Sequence, residues 1–146
     1  MPANVLADIA KTHADVLTLH DTIVADAGKI QSDVNSLKGT SDRNQVIATL
    51  KADWAQLRSN RENANSTIKA DWEQLRRDAK AARAAKQGNG EIKPLVQAMH
   101  TSNEALRGDA KQAVQAAHNA AKALRESLKG QGKVQSGSTS TTPSNG

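Results

Sequence analysis

Every seventh residue from Ile9 to Leu37 is a large aliphatic: Ile9, Val16, Ile23, Ile30 and Leu37. Leu6, His13, His20, Ala27 and Val34 fall between them at alternating spacings of three and four. Five heptads of this kind are buried together only as one face of a long helix, so the first segment reads as a helix over residues 4–38 with a coiled-coil-like seam. The remaining faces carry Asp8, Asp15, Asp21, Asp26 and Asp33 and are wet. Gly28 falls inside the pattern, where it either admits a close helix crossing or weakens the turn. Lys38-Gly39 then supplies a cation and a C′ glycine to end the helix.

Two further segments follow the same rule. Asp42 with Gln45 three residues on resembles a capping box and opens a second helix over 42–87. Its stripe runs Ile47, Leu50, Trp54, Leu57, Ala64, Ile68, Trp72, Leu75, Ala79 and Ala82. The stretch Asn60 to Thr67 is rich in Asn and Ser and marks the alternative, a break near 60–67. Gln87-Gly88-Asn89-Gly90 is a turn. A third helix over 91–129 carries Leu95, Met99, Leu106, Ala110, Ala113, Ala117, Ala121, Leu124 and Leu128, with Gly130 as its stop. Residues 130–146 are mostly Gly, Ser, Thr, Gln and Pro with a single Val, a composition expected to be disordered. Three long helices of similar length with short connections predict an all-α, elongated antiparallel three-helix bundle, up-down-up, over residues 1–129.

Composition decides what such a bundle can do. Leu, Ile, Val and Phe make up only 25 of 146 residues, while Ala alone contributes another 25, so the core is thin. With no Cys, disulfides, thiolate metal sites and a Cys nucleophile are excluded. Neither a Gly-x-Ser-x-Gly elbow nor a phosphate or dinucleotide loop in its strand–helix context is present, and the carboxylates are scattered along wet faces. An enzyme is therefore not expected. The four histidines lack the Glu-x-x-His spacing of di-iron bundles and the His-Glu-x-x-His of zinc hydrolases. No metal and no cofactor is expected, and His13 and His20 read as bundle-edge residues. No apolar run reaches the length of a membrane span. The absence of a signal-peptide pattern slightly favours the cytoplasm, with secretion open for a trimmed chain.

One internal repeat stands out. Thr49 to Arg58 recurs as Thr67 to Arg76, with eight identities in ten positions. The offset of eighteen makes five helical turns, so equivalent side chains return to one face about 27 Å apart. Trp54, Arg58, Trp72 and Arg76 are thus a candidate interaction face, with each Arg placed to lie over its indole. The competing expectation is that both Trp residues are core. A second candidate is the basic end of the second helix: Arg76, Arg77, Lys80, Arg83 and Lys86, interrupted only by Asp78. The chain has a formal net charge of +5. These features point first to a non-enzymatic interaction or scaffold protein that works by helix packing, with itself or other helices. The alternative is a protein that binds an anionic polymer or surface, such as nucleic acid, anionic lipid or a granule, through that basic end.

Overall fold

A computed structural model describes the backbone of residues 1–141 and the side chains of residues 1–130. It contains three helices, α1 (Ala3–Leu37), α2 (Arg43–Ala84) and α3 (Ile92–Thr141), arranged as an elongated up-down-up bundle. α2 is unbroken through Asn60 to Thr67; its 42 residues extend about 63 Å. α1 packs along its length against both other helices, whereas α2 and α3 approach each other narrowly.

The ends have local causes, and four differ from expectation. Leu37 to Thr40 forms a type II turn. Lys38 has φ −61° and ψ 132°, Gly39 has φ 86°, and Thr40 N–H donates to the Leu37 carbonyl. Gly39 therefore supplies the positive φ of a turn rather than a helical C′ cap. The Asp42 box is half formed: Asp42 Oδ1 accepts from Gln45 N–H, but the Asp42 N–H goes to Thr40 Oγ1. α2 ends before the glycines, in a Schellman motif. Gln87 N–H donates to the Ala82 carbonyl and Lys86 N–H to that of Arg83, with Lys86 at φ 57°. A left-handed non-glycine residue costs about 1–2 kcal/mol. Lys86→Gly should therefore raise stability by about 0.5–1 kcal/mol, and an unchanged or lower urea midpoint would contradict this. Gly130, expected to stop the third helix, keeps a negative φ, and the helical backbone passes through it. Glycine weakens a helix but ends one only when it turns left-handed. Of the expected disordered tail, 130–146, the backbone is helical through Thr141, and residues 142–146 lie outside the described residues.

The core obeys a period of five helical turns in all three helices, not only in α2. In α1, buried Val5, Thr12, Val16 and Leu19 return as Ile23, Ile30, Val34 and Leu37. In α2, Val46, Leu50, Asp53 and Leu57 lead to Ala64, Ile68, Asp71 and Leu75. In α3, buried Met99 and Asn103 return as Ala117 and Ala121. The period corrects the heptad expectation for α1. In its first half the second buried stripe is Val5, Thr12 and Leu19, while Leu6 is 45% exposed and His13 and His20 are half-buried. A strict heptad drifts by about 20° per repeat around a straight helix; a period of five whole turns does not. Ile47 and Leu95, placed on the apolar stripes from sequence, are exposed. Gly28 faces open space, so no close crossing uses it.

The bundle therefore has two storeys, and the α1–α2 seam shows the repetition in its charges. Lys29 bridges Asp33 and Asp53 at 2.6 and 2.9 Å; Lys11 bridges Asp15 and Asp71 at 2.7 Å each. Beyond the Lys11 rung Asp8 faces Asp78, and at the equivalent place one storey on, between the two rungs, Asn60 Nδ2 donates to Asp26 Oδ2 at 2.7 Å. Asp8, Asp53 and Asp71 each keep one buried carboxyl oxygen without a donor, and each lies beside a second carboxylate. A proton on those three oxygens, donated to Asp78, Asp33 and Asp15, completes the hydrogen bonding. Burial first, then the neighbouring carboxylate, holds Asp8 and Asp53 above the usual aspartate range. Burial likewise raises Asp71, with Asp15 adding to it against Lys11. Their partners are held below that range. Lys11 chiefly lowers Asp15, Asp53 chiefly lowers Asp33, and Gln74 chiefly lowers Asp78.

Candidate functional site

Because α1 separates α2 from α3, the gap between those two helices is a cleft with α1 as its floor. Three adjoining cavities follow it. One of about 330 Å³ has Val16, Leu19 and Ile23 beneath and Arg61, Arg107 and Lys111 on its walls. The next, about 730 Å³, is lined by Trp72 and His100 with Lys69, Arg76 and Arg107. A third, about 340 Å³, reaches Arg83 and Lys93. Seven Lys or Arg residues line the three cavities against two acids, Glu73 and Glu104. Among the described residues none of these seven cations lies within ion-pair distance of a carboxylate; the lysine pairs all lie on the α1–α2 seam. Lys11 and Lys29 of α1 thus serve the aspartates of the α1–α2 seam, while the basic face of α2 and α3 is left toward solvent.

The two tryptophans bridge the cleft. Trp54 meets His118 edge-on with centroids 6.1 Å apart, and Trp72 meets His100 in the same way at 6.4 Å. The two Trp share the spacing of the two His, five helical turns, so in an antiparallel pair both contacts form together. Both indoles are half-buried and pack against core residues. They are neither wholly core nor a free face. His118 and His100 make the aromatic contacts with the two indoles, while Arg58 and Arg76, four residues along α2, are exposed.

The five basic residues at the end of α2 divide. Arg76 and Arg83 line the cleft. Arg77 donates to Gln74 at 2.7 Å and faces Asp8 and Asp78 on the α1 side. Lys80 is exposed and lines none of these cavities, and Lys86 sits in the Schellman turn. Residues one apart on a helix point about 100° away from each other, so a run of basic residues splits between faces. The cleft cations missed from sequence are Arg61, Lys69, Lys93, Arg107 and Lys111; they are spread over two helices and no local run marks them.

The histidines serve contacts between helices. His13 Nδ1 pairs with Asn103 Oδ1 at 2.8 Å. His20 holds Asp109 of α3 through Nε2 and Asp21 through Nδ1, and these carboxylates raise it above the ordinary histidine value, Asp109 most. Among the described residues no three His, Asp or Glu side chains converge as a metal site, and no helix is long and apolar enough to cross a membrane. No family model, no curated protein and no solved structure matches this chain.

Proposed function

We propose that this chain is a non-enzymatic helical binding protein whose α2–α3 cleft takes an anionic partner. The observation that carries the reading is the row of unpaired cations along an apolar-floored groove. Unpaired Arg and Lys in a concave, partly desolvated setting attract anions more strongly than the same charges on a convex face. The anion site then lies in the cleft and not at the end of α2. Two triple variants separate the alternatives. Arg61→Gln with Arg76→Gln and Arg107→Gln should weaken retention on heparin–agarose at low salt by about tenfold or more. Arg77→Gln with Lys80→Gln and Lys86→Gln removes as much charge and should weaken it far less. Equal losses from both would reduce the effect to net charge and defeat the cleft assignment.

Self-association through helix packing is the second reading, supported by exposed apolar residues on α1. Leu6 and Leu17 are 45% and 42% exposed and lie three turns apart on one face. Light scattering across a dilution series tests it; a monomer throughout the micromolar range would remove it.

A further inference from the structure

Resting on that reading, we infer that the cleft's partner is a linear polyanion held by two equivalent subsites in series, one at Trp72–His100 and one at Trp54–His118. The duplication of the cations carries this inference. Lys69, Arg76 and Arg107 line the cleft beside Trp72. Each has a cation five turns away in its own helix: Lys51, Arg58 and Arg125. The structure repeats faithfully between the storeys, since both Trp–His contacts and both Lys–Asp–Asp bridges recur. The three counterparts therefore flank Trp54 as the first three flank Trp72, about 27 Å along the bundle.

Core packing explains the repetition of buried residues but not of these. Lys51, Arg58, Lys69, Arg76 and Arg125 are exposed and have no ion-pair partner among the described residues. The acids of the first subsite are not repeated: Glu73 becomes Ala55 and Glu104 becomes Lys122. The repeat thus keeps the positive charges and drops the negative ones. A discrete anion would fill one subsite and gain nothing from the second. A chain of regularly spaced anionic groups engages both, and the second engagement is then intramolecular. A flat anionic membrane fits less well, because the first subsite's cations line a groove and the exposed Leu6, Leu17, Ile47 and Leu95 line none of the three cavities.

Oligothymidylates of 4 and 16 nucleotides serve as probes, followed by tryptophan emission and by titration calorimetry at low salt. At about 3.4 Å or more per nucleotide the longer one reaches both subsites and the shorter one does not fill both. The 16-mer should bind one to one, about 100-fold tighter than the 4-mer, with a salt dependence about twice as steep. Lys51→Gln with Arg58→Gln and Arg125→Gln should bring the 16-mer down to within about tenfold of the 4-mer, the statistical gain of its extra registers, with helix content by circular dichroism unchanged. If the 16-mer gains no more than about the tenfold statistical factor of its extra registers, the serial arrangement is overturned. The single-cleft reading then still stands, provided the 4-mer binds and the Arg61, Arg76 and Arg107 variant loses it. Failure of both oligomers to bind at low salt overturns both. Tighter, salt-sensitive binding to phosphatidylglycerol vesicles than to the 16-mer would replace the polymer with a surface.

Discussion

Ile30→Ala should lower the stability of the bundle by about 3–5 kcal/mol and its melting temperature by about 10 °C or more. Ile30 is 0% exposed and sits at the centre of the larger core cluster, between Ile23, Val34 and the helices on either side. In a core this poor in Leu, Ile, Val and Phe, few neighbouring side chains are long enough to move into the space left behind. The cavity term therefore adds to the lost transfer energy. The same position in the other storey is Thr12, also 0% exposed, whose hydroxyl donates to the Asp8 carbonyl at 2.7 Å. Thr12→Val removes that local hydrogen bond while keeping the volume, and the Asp8 carbonyl keeps its helical donor, so stability should change by under about 1 kcal/mol. Chemical denaturation of the two variants beside the parent checks both values. A loss below about 1 kcal/mol for Ile30→Ala would show that the larger cluster is not the stabilising core.

The melting temperature should peak in mildly acid solution, at about pH 4–5, and fall toward pH 8. Asp8, Asp53 and Asp71 have folded values raised by burial and by a facing carboxylate. Above the ordinary aspartate value the folded state holds protons that the unfolded chain has released, so their contribution falls as pH rises through the raised values. His20, raised by Asp109 and Asp21, acts in the same direction: its contribution is present below the ordinary histidine value and is lost above its folded value. Asp15, Asp33 and Asp78 are lowered, so their contribution is present above the ordinary aspartate value and is lost as pH falls through theirs. The optimum lies between, where each pair holds one proton. Asn60 already stands where a protonated carboxyl would donate to Asp26. Replacing Asp8, Asp53 and Asp71 together with Asn should flatten the decline between pH 5 and pH 8, because an amide donates at every pH. A melting temperature that climbs steadily from pH 4.5 to pH 8 in the parent would show that the pairs do not share protons.

Helix number, order and approximate ends were legible in the sequence because their causes are local. Apolar residues recur at helical spacing, Asp42 offers a carboxylate to Gln45 N–H, and Gly39 supplies the positive φ that the first connection needs. The repeat in α2 was legible because its identities are contiguous. The matching repeats in α1 and α3 are equally present, as Lys11 with Asp15 and Lys29 with Asp33, or His100 and His118, but their identities are scattered among Ala-rich surroundings. Tertiary structure alone decided the rest. Thr12 rather than His13 is buried because two helices flank α1 and widen its covered face beyond a heptad seam. Trp54 and Trp72 are half-covered because each packs on the core with one side and meets His118 or His100 edge-on across the cleft, from a helix that α1 holds at a distance. The cationic cleft exists for the same reason: Lys11 and Lys29 of α1 serve the aspartates of the α1–α2 seam, and the basic residues of α2 and α3 converge across a gap that no single helix encodes.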